Sequence, residues 1–221
     1  MAHNIISELQ NNNTITFGQV NICGLSAFSS LALNQHAKDS AINILAVSEV
    51  KNEDPVILQD YNDPILEASG KDNSGGAALY IHRSIQNTTA ISSLQGDHFE
   101  SAWALCEIGK KTLLTGSVYV HHDNPRSLQS FIKSLELAGS FCSSNGIDYM
   151  YIMGDFNTRH PAWQDNRANK QGEVFLDFLN CTSQDLYLIS PNELTFLCPD
   201  DGGSVIDLAI CNTATKEDLL V

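Results

Sequence analysis

The feature that most constrains this chain is a succession of short apolar runs, rich in β-forming residues and punctuated by turn signals. The spacing predicts strands over Ile15 to Ile22, Ile44 to Val47, Ala77 to His82, Trp103 to Ile108, Leu113 to Val120, Tyr149 to Met153, Leu194 to Leu197 and Val205 to Ile210. Helical patterns separate some of them. Asn124-Pro125 supplies a cap and a proline at the first helical position. Leu128, Phe131, Ile132, Leu135 and Ala138 then form one apolar face, and Gly146 follows. A second helix is expected over Glu173 to Asn180 and a weaker one from about Ser30 to Ala41. Strands outnumber helices and several are consecutive. A layered sandwich of sheets flanked by helices fits better than a simple doubly wound fold.

No repeat, charge run or Pro/Gly/Ser-rich linker divides the 221 residues, so residues 1–221 are read as one domain, with 1–13 flexible. A hydrophobic fraction of 43% with 17% charged residues excludes a disordered chain. The apolar runs are too short to cross a bilayer, and the polar, Asn-rich start lacks the pattern of a signal peptide, so an intracellular protein without membrane association is expected. The six cysteines form no C-x-x-C pair and are read as buried free thiols. A formal net charge of −14 opposes binding to a polyanion. It is compatible with nucleic acid if a divalent metal offsets carboxylates at the site, or if neighbouring domains supply phosphate affinity.

Polar residues stand where folding alone does not require them, at strand ends. In Tyr151-Ile152-Met153-Gly154-Asp155-Phe156-Asn157, a carboxylate and an amide lie two apart after an apolar strand. Either they face one substrate, one taking a proton and the other holding a phosphate oxygen or attacking water, or they form an Asx turn that closes the strand. Glu49, after a buried strand, is a solvated carboxylate or a hard oxygen ligand for Mg²⁺. Asn21 ends the first strand, near the turn at Gly24. Asp207 sits inside Val205 to Ile210, where a charge needs a partner unless that face is solvated. Tyr119 is a phosphate donor or a core aromatic. His121 and His122 are adjacent and should point to opposite faces, so no zinc site is expected. Arg159, His160, Arg167 and Lys170 form the densest basic group. Trp163 either packs in the core or stacks on a base.

In order, Asn21, Glu49, Tyr119, Asp155-x-Asn157 and Ser204-x-x-Asp207 resemble the endonuclease/exonuclease/phosphatase superfamily over about residues 15 to 210. The stretch from Gly154 to Trp163, Asn169 to Gly172, Leu176 to Leu179 and Thr195-Phe196 is similar to its LINE-type (non-LTR) retrotransposon branch. The resemblance implies an α/β, deoxyribonuclease I-like, four-layered sandwich of two mixed sheets flanked by helices. It implies a metal-dependent endodeoxyribonuclease in which Glu49, helped by Asn21, holds Mg²⁺, with Mn²⁺ able to substitute. Asp155 would activate the attacking water, and Asn157 and Tyr119 would hold the scissile phosphate. Thr195, Ser204 and His122 would approach DNA, and the nick would leave a 3′-hydroxyl that primes reverse transcription; apart from the resemblance, Arg159 and Arg167 follow Asp155-x-Asn157 directly, where phosphate contacts would help. The implied partners are double-stranded DNA and a fused reverse transcriptase domain, with the isolated domain monomeric and acting in the nucleus.

The family pattern ends in Ser-Asp-His, whose histidine is oriented by the carboxylate matching Asp207. No histidine follows His160, and the terminal Lys216 to Val221 reads as the start of an edge strand, so the chain is expected to lack the last few tens of residues of the domain and to be weak or inactive without them. A phosphatase of the same superfamily and a catalytically dead binding module are the competing readings. Base choice is expected to rest on the loops between Ser84 and Phe99 and between Pro199 and Gly203.

Overall fold

The computed structural model describes residues 14–24, 27–51, 56–67, 75–196 and 203–219. In chain order the elements are β1 (Phe17–Asn21), α1 (Ala27–Asp39), β2 (Ile44–Ser48), β3 (Ile65–Glu67), β4 (Ala77–Ile81), β5 (Gln86–Ala90), β6 (Glu100–Ile108), β7 (Lys111–Tyr119), α2 (Pro125–Asn145), β8 (Tyr149–Asp155), α3 (Lys170–Cys181), β9 (Tyr187–Ile189), β10 (Asp207–Cys211) and α4 (Thr213–Asp218). They build one sheet in the order β1-β2-β4-β3 and a second in the order β5-β6-β7-β8-β10-β9. Both sheets are mixed: β1 runs parallel to β2 and β7 parallel to β8, while the other pairings are antiparallel.

The apolar runs lack polar alternation because both faces of the central strands are covered. Along β8, Tyr149, Tyr151 and Met153 pack between the sheets with Phe17, Ile44, Ala46 and Ala209. Its other face sends Met150 and Ile152 against Phe131 of α2 and Phe175 of α3. Along β2, Ile44 and Ala46 face the second sheet, while Leu45 and Val47 join Leu33 and Ala37 of α1. The layers are therefore helix, sheet, sheet, helix pair. Among the described residues, no helix is long and apolar enough to cross a membrane.

α2 has the expected limits. Asn124 accepts from the Arg126 amide at 3.1 Å, Pro125 opens the helix, and Gly146 closes it at φ +63 with its N–H on the Cys142 carbonyl. Cys106, Cys142 and Cys211 are buried free thiols, as expected, while Cys23 and Cys181 are exposed; Cys198 lies outside the described residues. Burial pushes the Cys106 and Cys142 thiols up to about 11, leaving them protonated and inert at neutral pH.

The structure corrects several boundaries. The segment Ser84 to Phe99 is not all loop, since it contains β5, a mostly exposed edge strand whose polar sequence shows no apolar period. β3 and β9 are three-residue strands too short to leave a pattern. Lys216 to Asp218 end a helix and do not begin a strand: Asn212 accepts from the amide and hydroxyl of Thr215 at 3.1 and 2.6 Å, and this cap overrides the weak local propensity. The strand expected at Leu194 to Leu197 is reduced to a Phe196–Ser204 bridge, with Leu197 outside the described residues, as are most of Pro199 to Gly203 and the N-terminal residues 1–13.

Within the second sheet β8 passes close to β7 at Gly154, where a Cβ would meet the Val118 carbonyl oxygen at 1.9 Å. Any side chain there must push β8 away from β7. Gly154→Ala is expected to destabilise the protein by at least about 2 kcal/mol, measured by denaturant unfolding, because rigid backbone cannot give way. A loss under about 0.5 kcal/mol would contradict this packing.

Candidate active site

The parallel pairs end at one edge of the sandwich, which places Asn21, Glu49, Tyr119 and Asp155 together although they come from both sheets. β10 runs the other way and begins there, pairing Asp207 directly across from Asp155. Asn21, Glu49, Tyr119 and Asp155 line a cleft of about 680 Å³ whose walls include His122, Asn157, Arg159, Arg167, Asn169 and Phe196, with Asp207 buried behind Asp155. The structure thus brings together most residues expected from the sequence.

One side chain joins the two sheets at the floor. Asn21 Nδ2 donates to Glu49 Oε1 and to Asp155 Oδ2, both at 2.8 Å, and its Oδ1 accepts from the Cys23 amide at 3.1 Å. Asp155, 1% exposed, also accepts from the Asn157 amide at 3.0 Å. That last contact is an Asx turn, so the turn and the substrate-facing roles are two uses of one residue. Asn157 lies past the end of β8 at φ +50, and this turn, rather than strand alternation, aims its side chain. Its Nδ2 donates to the Val120 carbonyl at 2.8 Å.

Asp207 is 6% exposed, which rules out a solvated strand face. Its partner is Gln19, which sequence reasoning missed. Gln19 donates to Asp207 Oδ1 at 3.3 Å and to the Gly154 carbonyl at 2.8 Å, and its own Oε1 is buried without a hydrogen bond. A glutamine two residues before Asn21 faces the second sheet by strand period, and that was the available signal. Lys51 was also missed: its Nζ lies 2.8 Å from Glu49 Oε2 and 3.2 Å from Cys23 Sγ.

Other expected residues have different tasks. Thr195 Oγ1 accepts from the amides of Ile206 and Asp207, both at 3.1 Å, so it sets the start of β10. Ser204 is 1% exposed and too buried to reach a duplex in this arrangement. Trp163 is 1% exposed and donates to the Thr158 carbonyl, which makes it core. Arg159 and Arg167 reach the cleft, held by Asn169 and Asp165, whose side chains accept from their respective amides at 3.0 and 3.2 Å. His121 turns to Glu100 and His122 to the cleft, and no group of three or more His, Cys, Asp or Glu able to hold a metal occurs among the described residues.

Backbone strain gathers at this edge. Cys23, Glu49, Lys51 and Asn157 all have φ between +49 and +55, unfavourable for non-glycine residues. Burial and the facing Asp207 carboxylate raise the Asp155 acid well above its ordinary range. Burial raises Asp207 to about 6, against the opposing hydrogen bonds of Thr195 and Gln19. Burial, reinforced by Glu49 and Asp155, likewise raises the Tyr119 phenol and keeps it a hydrogen-bond donor.

Glu49 and Asp155 line the floor with neutral amide donors between them, and Mg²⁺ needs only one or two carboxylates because it keeps several waters. Glu49 is the accessible member. Asn21 presents Nδ2 to it, so as a ligand Asn21 would have to turn its amide over.

The raised Asp207 acid binds its proton more readily folded than unfolded. Folding stability therefore declines as pH rises from its ordinary 3.8 through about 6. In metal-free protein, Asp207→Asn should lessen that decline, leaving the part due to burial of Asp155, and be more stable than the wild type at pH 7. Parallel melting curves across this range that stay a constant distance apart would disprove it.

Residues 113–220 match the family described as endonuclease-reverse transcriptase. No curated protein matches the chain in sequence. Among solved structures, the endonuclease domain of TRAS1, a telomere-specific non-LTR retrotransposon, superposes with a TM-score of 0.69 at 15% identity, covering 89% of this chain and 84% of that one. The Xenopus laevis APE2 catalytic domain gives 0.66 at 18% identity over 91% and 83%. The AP endonuclease LMAP from Leishmania major gives 0.68 at 14% identity over 90% and 79%. The chain shares the fold of these endonucleases, and residues 113–220 match the endonuclease-reverse transcriptase family.

Proposed function

We propose that the chain is a Mg²⁺-dependent endonuclease that nicks double-stranded DNA and leaves a 3′-hydroxyl. The observation that carries this reading is the Asn21 amide held at 2.8 Å from both Glu49 and Asp155, at the floor of a cleft walled by Arg159 and Arg167. Glu49, with Asn21 beside it, would hold the metal, which when bound supplies positive charge against the scissile phosphate and the leaving oxygen.

The chain's own residues account for the remaining chemistry. Asp155 takes the proton of the attacking water, and burial with the facing Asp207 carboxylate raises its pKa, which makes the carboxylate a stronger base than an exposed one. Asn21 and the Asn157 amide orient that carboxylate. The protonated Tyr119 hydroxyl and the Asn157 side chain hold phosphate oxygens, and His122, Arg159 and Arg167 contact flanking phosphates. The acidic remainder of the surface contributes nothing to this affinity, so phosphate binding is local to the cleft. The match of residues 113–220 supports a larger protein that also carries a reverse transcriptase domain; in this reading the 3′-hydroxyl is its primer and the nucleus its place of action.

The test is nicking of supercoiled plasmid and of a duplex with one abasic site, in Mg²⁺ or Mn²⁺. Asp155→Ala should reduce nicking at least about 100-fold, and Glu49→Gln should raise the Mg²⁺ concentration required. Equal activity in Asp155→Ala and wild type would refute the reading, as would failure of the wild type to nick either DNA in either metal.

A further inference from the structure

Beside the cleft lies an ion pair that the mechanism above does not use. Glu100 opens β6 directly across from Tyr119, and it is 8% exposed. His121 Nε2 is 2.9 Å from both of its carboxylate oxygens; the hydrogen bond goes to Oε1, while Oε2 is buried without one. The His121 ring meets the Tyr119 ring edge-on, with centroids 5.1 Å apart at 82°. Gly75 closes the other side, where a Cβ would lie 3.0 Å from the Tyr119 ring and 3.1 Å from Glu100 Oε2. Tyr119 is thereby enclosed on these sides and lines the cleft.

His121 is itself fixed through its backbone. Its N–H donates to Ser127 Oγ of α2 at 2.9 Å, and its carbonyl accepts from Gln171 Nε2 of α3 at 3.1 Å. A carboxylate–imidazole pair with the carboxylate buried and the imidazole half-buried is a poor source of net stability, because desolvation offsets most of the attraction. An apolar pair would fill the same space, so the geometry calls for a positional role.

We propose that Glu100 and His121 form a positioning pair that holds the Tyr119 ring so that its hydroxyl meets the scissile phosphate. The proposal rests on the nuclease reading for its substrate, but the geometry it asserts stands apart from activity. Glu100 orients the imidazole, the imidazole edge blocks rotation of the phenol ring, and the main-chain bonds to α2 and α3 tie this strut to the helical layer. The charged groups acting on the imidazole are Glu100 from β6, Asp123 from the following turn and Glu49 from the end of β2, with Tyr119 itself packed against it.

The first experiment is a double-mutant cycle of His121→Gln and Tyr119→Phe, read as kcat and KM for Mg²⁺-dependent plasmid nicking. His121→Gln should lower kcat about tenfold with KM little changed, and in the Tyr119→Phe background it should cost nothing further. Independent, multiplying effects would overturn the proposal. The second experiment needs no activity: the protein is labelled with 3-fluorotyrosine, and the resonance of Tyr119 is identified by its absence in Tyr119→Phe. Its shift should follow the titration of His121 in the wild type, that titration should move to lower pH in Glu100→Gln, and the line should broaden and lose the titration in His121→Gln. An unchanged resonance in His121→Gln overturns the positioning role even if the chain nicks DNA. A changed resonance in a chain that cuts nothing sinks the nuclease reading and leaves the strut standing.

Discussion

The site depends on a contact between the two sheets made by alternate residues of one strand. Gln19 and Asn21 of β1 reach across to Gly154, Asp155 and Asp207 of β8 and β10. Burying two facing carboxylates is unfavourable, and neutral amide donors reduce the penalty without cancelling either charge. The residual penalty appears as the raised pKa values of Asp155 and Asp207. It also makes the floor of the cleft a place where positive charge is favourable. The same contacts that align the sheets therefore prepare the chemistry.

The strand ends are built to hold that arrangement under strain. Four non-glycine residues in the left-handed region, Cys23, Glu49, Lys51 and Asn157, turn the chain sharply where β1, β2 and β8 finish. Backbone bonds keep them there, among them Gly24 N–H to the Glu49 carbonyl at 2.7 Å and Lys51 N–H to the Gly75 carbonyl at 3.0 Å. Such strain persists only where surrounding structure determines it, and here the surrounding structure is two packed sheets. Positive charge is treated in the same local way. A chain with a net charge of −14 places Lys51, Arg159 and Arg167 on one cleft, which is where a phosphate would need them.

Much of this was legible in the sequence, and the reason differs from element to element. Runs such as Ile44 to Val47 and Tyr149 to Met153 announced strands because both faces are buried, and α2 announced itself through Asn124, Pro125 and Gly146. β5 and β9 did not, since an exposed edge and a three-residue strand leave no period to read. The helix at Thr213 to Asp218 was hidden because its cap works through Thr215, which a strand pattern ignores. Of the site residues, Glu49, Asp155 and Asp207 stood out as carboxylates in apolar surroundings. Gln19, Lys51 and Glu100 did not, because a glutamine in a strand, a lysine in a loop and a glutamate at a strand start are unremarkable until their neighbours are known.

The sequence by itself determined the layers and the identity of the carboxylates at the strand ends, because periodicity and burial of charge are local properties that each segment records. Only the tertiary structure decided what those carboxylates face. The partners of Asp155 and Asp207 lie 134 and 188 residues away along the chain, and no local pattern carries a contact of that range. It also decided that Thr195 and Ser204 build the start of β10, and that His121 turns from the cleft to Glu100, since those choices depend on how two sheets and two helices close around them.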